Sequence, residues 1–405
     1  MKYAIVIPDG CADEPQPSLG GKTPLQAARL PNMDRVAQLG YVGNTNNVPP
    51  SLTPASDVAT LSLLGYDPME VYTGRSPLEA AAMGITLRPE DWAIRCNLVN
   101  VDNEEMRDFT AGHISSEEGH QLIAALRKEL EGPTPDGSGV LEFVPGVSYR
   151  NCLVYRTTKP APFSSSETKA QPPHDIPDQP IAGYLPSGPG SDLLRLLMAQ
   201  SRQVLGEHPV NAARRAAGKR PATQIWLWGQ GRAPRLKKFH ELYGKRGAII
   251  SGVDLVRGVG ILLGWQRLDV AGVTDYLDND YVAQGKATIE ALKSYDIVCA
   301  HVESPDEASH EGKAEEKVKA LERIDEHIVG PLLEAMPKMG DWRILVSPDH
   351  RTPLRTRAHA HGAVPFAIAG TGVAPLGQTS YDEAVAAASS VAFERGCELM
   401  QRFLN

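Results

Sequence analysis

Short apolar runs that end in a polar turn alternate along this chain with stretches in which apolar residues recur every three or four positions. That alternation reads as buried strands and amphipathic helices of an α/β protein. The clearest strand is Ile344-Leu345-Val346-Ser347, which runs into Pro348-Asp349-His350. An equivalent run opens the chain as Ala4-Ile5-Val6-Ile7 and turns at Pro8-Asp9-Gly10. Further strands are expected at 222–229, 248–251, 297–302 and 364–370. Thr23 followed by Pro24 marks a helix start with the proline at its first position, and a second helix is expected from Asn32 to Leu39, closed by Gly40. Helical periods also predict helices over 193–205, 210–218, 237–243, 255–263, 279–294, 306–333 and 382–403.

This succession points to a doubly wound, mostly parallel sheet. From about Trp92 the texture changes. Strands at 93–99 and 148–155 flank an amphipathic helix at 117–130, and a Pro- and Ser-rich run follows over 158–189. The block 92–189 therefore reads as a smaller inserted α+β domain with its return linker, leaving 1–91 and 190–405 as one discontinuous domain. Arg95, Arg107, Arg150, His113 and His174 are the polar groups such an insertion could hang over a crevice.

Composition narrows the function classes. The chain has 405 residues, 41 basic against 49 acidic, and a formal charge of -8. It carries no long basic run, so nucleic acid is not an expected partner. The mixed clusters at 214–220 and 232–238 read as solvated helix faces. No apolar segment approaches the roughly 20 residues that span a bilayer. The first residues form a strand and not a secretory signal, so no membrane partner and a cytoplasmic location are expected. Five cysteines without CxxC spacing read as small buried residues.

The chemistry sits at strand ends. Open α/β sheets place their sites at the carboxyl ends of strands, and Asp9 and Asp349 both leave such ends, with His350 beside the second. In Glu303-Ser304-Pro305-Asp306-Glu307-Ala308-Ser309-His310, Asp306 and His310 stand four apart, on one face of a helix. His301, just upstream, reads as a hydrogen-bonded core imidazole. Nine residues after His350 lies His359, with His361 close by. The loop at 49–61 enters a helix near Ser56, which serves either as a plain N-cap or as a nucleophile near a metal and the positive helix end. Ser51 and Thr53 lie outside the helix start. Arg75, in a second loop entering a helix, is placed to meet an anionic substrate. The ligand candidates are Asp9, Ser56, Asp306, His310, Asp349, His350 and His359. Such a mixed oxygen and nitrogen set can hold two divalent ions and suits manganese or zinc better than magnesium alone. Two ions suit in-line phosphoryl displacement, with the serine as attacking oxygen.

At these residues the chain resembles the archaeal-type, cofactor-independent phosphoglycerate mutases of the alkaline phosphatase superfamily. The resemblance covers nearly the full length. It rests on Ile7-Pro8-Asp9-Gly10, Thr23-Pro24-Leu25 with Asn32-Met33-Asp34, Pro54-Ala55-Ser56-Asp57 with Leu64-Gly65-Tyr66-Asp67-Pro68, and Gly74-Arg75-Ser76-Pro77-Leu78-Glu79-Ala80. It also rests on the segment from Asp306 to His310, on Asp349-His350, and on His359 with Val364-Pro365-Phe366. It implies an alkaline-phosphatase-like fold, and a small phosphorylated substrate, 3-phosphoglycerate, whose phosphoryl group Ser56 accepts and returns to the 2-hydroxyl. It implies that one ion takes Asp9, Ser56, Asp349 and His350 and the other Asp306, His310 and His359. Arg95 and Arg150 are then the expected clamps for carboxylate and phosphate. Three places depart from the family pattern: His113 stands where an arginine is usual, Arg351 follows the Asp-His pair, and the segment Ala360-His361-Gly362-Ala363 brings His361 into competition with His359. The register from Val364-Pro365 favours His359. The alternative is a metal-dependent phosphotransferase or phosphomonoesterase on another phosphorylated metabolite, as in a homoserine-kinase-like branch. Assembly into a homo-oligomer is left open.

Overall fold

The apolar run at the start of the chain forms the strand Lys2–Pro8, buried from Tyr3 onward. A strand apolar on both faces fits only the middle of a covered sheet. It lies there, parallel to Ile297–Val302 on one side and to Trp342–Val346 on the other. Register sets Ile7 opposite His301 and Val6 opposite Val346. All three strands thus end at one edge of the sheet, which the computed structural model, describing residues 1–164 and 166–405, shows to have eight strands. Their order is Gln266–Arg267, Gly247–Ile250, Ile297–Val302, Lys2–Pro8, Trp342–Val346, Val364–Gly370, Gly40–Thr45 and Ala392–Phe393. Only the two junctions of Val364–Gly370 are antiparallel. The expected mostly parallel α/β sheet is present.

One face of this sheet is covered by the helices Pro31–Leu39 and Tyr281–Ser294 and by the segment from Ala314 to Ala335, which bury Met33, Val36, Leu292, Ile324, Ile328 and Leu332. Each fully buried aliphatic side chain stabilises by about 1.5–3 kcal/mol relative to exposure. Thr23 caps Pro24–Ala27 through a reciprocal box with Gln26. Among the described residues, no helix is long and apolar enough to cross a membrane. All five cysteines are free, and four of them are buried.

Two long helices expected from periodicity are interrupted. The 306–333 run is divided into Ser304–His310, Ala314–Ile324, a π turn at Asp325–Val329, and Gly330–Ala335. Gly312, at φ +71°, supplies the left-handed residue that stops the first piece. The Asp325 carboxylate accepts bonds from the backbone N–H groups of Asn32 and Met33, at 3.1 and 2.6 Å, satisfying the start of Pro31–Leu39. The 382–403 run is two helices, Glu383–Ala388 and Cys397–Leu404. Between them Ala392–Phe393 pairs with Gly40–Thr45, so sheet pairing overrides the helical period.

The chain divides into two compact units, Met1–Tyr72 with Leu236–Asn405, and Thr73–Arg235. The second unit has its own sheet of antiparallel strands around Trp92–Asp102, flanked by Arg150–Arg156 and Gln224–Arg232. The helices Ser116–Leu130 and Ser191–Gly206 contribute Leu122, Leu126, Leu194 and Leu197 to its core. Periodicity alone assigns residues 193–229 to a resumed parallel sheet. They belong to the second unit, because Gln224–Arg232 pairs along Trp92–Asp102 and sets the buried Trp226 and Trp228 into that core. The 92–189 block lies inside this wider unit.

Candidate active site

Three strand ends supply the acids. Asp9 follows Lys2–Pro8, Glu303 follows Ile297–Val302, and Asp349 lies three residues past Trp342–Val346. Asp306 is in the first turn of Ser304–His310 and His310 at its end, four residues on. Gly10, at φ +57°, turns the chain where a side chain would overlap Asp306 Oδ1 and Thr352 Oγ1, and its N–H donates to Asp349 Oδ1 at 3.3 Å. Asp9, Asp306, Asp349 and His350 are all buried.

The imidazoles close the group. His350 Nε2 lies 3.4 Å from Asp9 Oδ1, 3.5 Å from Asp349 Oδ2 and 3.2 Å from Ser56 Oγ. Asp306 Oδ2 lies 2.9 Å from His310 Nε2 and 3.3 Å from His359 Nε2, and those two nitrogens are 3.0 Å apart. His310 Nδ1 donates to the Arg357 carbonyl at 2.9 Å, which turns its Nε2 toward Asp306. The rings of His350 and His359 sit 4.2 Å apart, joining the two sets. Thr352 Oγ1 bonds Asp306 Oδ1 and also lies 3.2 Å from His350 Nδ1.

Ser56 is the first residue of the helix Ser56–Leu63, and Ala55 occupies the N-cap without a side-chain bond. Its hydroxyl is therefore not spent on capping. Asp57 Oδ1 accepts from the Val58 N–H at 2.8 Å instead.

Crowding of acids shapes the titrations. Burial, then the charges of Asp349, Glu303 and Asp306, push the Asp9 carboxyl well above the usual range. Burial and Asp306 do the same to Glu303. Burial works to raise Asp306 as well, but hydrogen bonds from His310 and His359 outweigh it and hold that carboxyl well below its ordinary value. The same hydrogen bond to Asp306 raises His310 to about 9. Burial lowers His350, and lowers His301 to about 4.

These residues fit a divalent pair. Asp9 Oδ1 and Asp349 Oδ2 are buried without any hydrogen-bond partner, a costly condition for carboxylate oxygens that a cation relieves. Asp9, Asp349 and His350 offer three donor atoms within 4.8 Å of one another, and so do Asp306, His350 and His359.

A separate cationic cluster lies within the second unit. Glu79 Oε1 accepts from Arg75 Nε at 2.8 Å and from Arg95 Nη1 at 2.6 Å. Arg95 is buried and stacks over the Trp228 ring at 4.6 Å, which also carries His174 at its edge. Two guanidinium groups thus pair with one carboxylate, while Arg150 lies over the Tyr149 ring at 5.3 Å.

Comparison with known proteins decides the family. Residues 37–211 match the family model described as 2,3-bisphosphoglycerate-independent phosphoglycerate mutase. The chain is 45% identical over 402 residues to the protein of that name from Methanothrix thermoacetophila, covering 99% of each. It is 46% identical to a probable 2,3-bisphosphoglycerate-independent phosphoglycerate mutase of Geobacter sulfurreducens, over the whole of both chains. The chain belongs to the 2,3-bisphosphoglycerate-independent phosphoglycerate mutase family. Among solved structures, a Pyrococcus horikoshii protein superposes with a TM-score of 0.82 at 28% identity, covering 100% of this chain and 96% of that one. The cofactor-independent phosphoglycerate mutase of Thermoplasma acidophilum shares the fold, with a TM-score of 0.67 at 24% identity and full coverage of both chains.

In this member of the mutase family, all seven ligand candidates come together in the first unit. His361 does not join them: its Nε2 lies 2.9 Å from the Leu52 carbonyl. Arg351 makes backbone bridges to Cys11, Ala12 and Ala360 that tie the loop down. Ser51 bonds Met69 and lies on the surface. His113 occupies a left-handed turn, φ +48°, bonded through its N–H to Thr110 Oγ1 at 3.0 Å; among the described residues no hydrogen bond or ion pair joins it to the arginine cluster. His301 is the hydrogen-bonded core imidazole expected, but its partner is Asp9 Oδ2, at 2.6 Å, with Ser251 Oγ 3.0 Å from the other ring nitrogen. Sequence reasoning passed over Glu303, Glu79 and Thr352. The position of Thr352, two residues past His350 in the same loop, was the available signal.

Proposed function

We propose that the chain interconverts 3-phosphoglycerate and 2-phosphoglycerate without 2,3-bisphosphoglycerate, through a phosphoserine at Ser56. The observation that carries this reading is the Ser56 hydroxyl, unused as a cap and aimed at His350 in a pocket of buried acids and imidazoles. Full-length relatives named as these mutases support it. Asp9, Ser56, Asp349 and His350 would hold one divalent ion and Asp306, His310 and His359 a second; the donor set favours manganese, with zinc or magnesium able to substitute. When bound, the ions supply charge stabilisation for the phosphoryl oxygens and ease loss of the serine proton.

Ser56 Oγ forms a bond to phosphorus as the bond to the substrate's 3-oxygen breaks, and that oxygen takes up a proton. The glycerate re-orients, its 2-oxygen attacks phosphorus, and the bond to Oγ breaks as Ser56 regains its proton. The positive end of Ser56–Leu63 favours the anionic phosphoserine. Arg75, Arg95 and Arg150 are the chain's groups for the substrate's carboxylate and phosphate, because guanidinium forks match both. The test is a coupled mutase assay on chelated protein re-loaded with Mn²⁺. Interconversion without added bisphosphoglycerate is expected, with Ser56→Ala inactive while still binding Mn²⁺. Release of inorganic phosphate without interconversion would instead indicate a phosphomonoesterase.

A further inference from the structure

The Thr352 side chain is fully buried in the loop that follows the Asp349-His350 pair, and its hydroxyl touches a member of each ligand set. A hydroxyl has one proton to give. Asp306 Oδ1 takes it, since the hydroxyl points its proton at that carboxylate oxygen, whose partner oxygen faces two imidazoles. The remaining contact, Thr352 Oγ1 to His350 Nδ1 at 3.2 Å, is a hydrogen bond only if the ring nitrogen is the donor. Nε2 is then bare and faces Ser56 Oγ, Asp9 Oδ1 and Asp349 Oδ2. The opposite tautomer would set two lone pairs against each other at Nδ1 and place a hydrogen where a cation has to sit.

We propose that Thr352 is a positioning residue whose hydroxyl fixes the His350 imidazole as its Nδ1–H tautomer and ties it to the Asp306 carboxylate, so that the two ligand sets form as one. Its consequence for ion binding rests on the two-ion reading above. The hydroxyl is itself held in place. The Thr352 carbonyl accepts from Lys317 Nζ at 3.0 Å and its N–H donates to the Ala12 carbonyl at 3.3 Å. Its branched Cβ restricts χ1, which a serine would not.

The test compares wild type with Thr352→Val, Thr352→Ala and Thr352→Ser. Ring ¹⁵N shifts of histidine-labelled, metal-free protein at pH 8 report the tautomer, with the His350 signals assigned by their loss in His350→Gln. Wild type and Thr352→Ser are expected to show the Nδ1–H form, and Thr352→Val and Thr352→Ala a mixture containing Nε2–H. Mn²⁺ affinity is expected to fall about 10–100-fold in the latter two, the usual cost of losing a group that orients a ligand, and to be retained in Thr352→Ser. A wild-type protein in the Nε2–H form overturns the proposal. So does an unchanged tautomer in either hydroxyl-free variant, whatever its Mn²⁺ affinity. Because the shifts are read without metal or substrate, a failure of the mutase reading would appear separately, as absent interconversion with the tautomer pattern intact.

Discussion

Lys317→Met is the sharpest probe of what holds the active-site loop. Lys317 and Asp13 are both fully buried at the side chain, with Nζ 2.8 Å from Asp13 Oδ2. The ammonium also binds the Thr352 carbonyl, and the carboxylate accepts from the Leu354 N–H at 3.1 Å, so the pair grips the loop at two points. Methionine keeps the stem's volume and removes the charge. Removing one partner of a buried pair costs about 3–5 kcal/mol, because the other charge is left uncompensated. Here Asp13 keeps its bonds from Leu354, Glu14 and Gln16, which places the loss near the lower limit, about 3 kcal/mol. For a unit of this size a loss of about 3 kcal/mol lowers Tm by about 6–12 °C. The measurement is a thermal melt of the metal-free protein followed by far-UV circular dichroism. A double-mutant cycle with Asp13→Asn should return a coupling energy above about 1 kcal/mol. A shift within about 2 °C, or additive single effects, would refute the reasoning by showing that water screens the pair.

Mn²⁺ binding should release about one proton from His310, whose pKa is raised to about 9. The affinity should therefore climb about tenfold per pH unit up to about pH 9 and level off above it, as titrations across that range will show. The sign for folding is opposite: the raised His310 pKa contributes stability to the metal-free protein below the unfolded value near 6.5, and that contribution is lost as pH rises through 9. Gly10→Ala places a methyl against Asp306 and Thr352 at a left-handed residue. It should cost about 1–2 kcal/mol of backbone strain in a denaturant melt and reduce Mn²⁺ uptake well beyond what that loss explains. Arg95→Lys forfeits the stacking on Trp228 and one arm of the grip on Glu79, and should raise KM about tenfold in the mutase assay with a smaller effect on kcat.

The eight-stranded sheet was legible because its central strands are apolar on both faces, and the candidate ligands because Asp9 and Asp349 stand at or just past the ends of such strands. Local patterns carried that much. They could not give the extent of the second unit, since Gln224–Arg232 finds its partner strand more than a hundred residues earlier, a pairing that periodicity does not encode. Its two tryptophans are core residues, as their place in a short apolar strand implies, but that strand's pattern does not name the sheet it joins. The expected helix over 382–403 failed for a related reason: Ala392–Phe393 becomes the edge strand beside Gly40–Thr45, from the other end of the chain. Ser56 shows the opposite case, where sequence left two readings and the structure removes one of them, the cap, by seating Ala55 there.

Side chains that act through another residue were the hardest to see, and energetics explains why the site needs them. Asp9, Glu303 and Asp306 gather their carboxylates where burial alone disfavours ionisation, and the buried Asp349 lies beside Asp9. Left to themselves such groups would turn away or take up protons. His301 holds Asp9, Thr352 holds Asp306, and Gly10 N–H holds Asp349, each by a bond to one carboxylate oxygen. Asp9 Oδ1, Glu303 Oε2 and Asp349 Oδ2 have no hydrogen-bond partner among the described residues. In Asp9 and Asp349 this division, one oxygen anchored and one left unsatisfied, keeps the acids pointing at a common centre at a standing cost to the metal-free fold. The cost is sustained by the parallel core behind the strand ends and by the Lys317–Asp13 pair beneath the loop. Mutations in those supports should therefore be felt first as loosened metal binding and only later as unfolding.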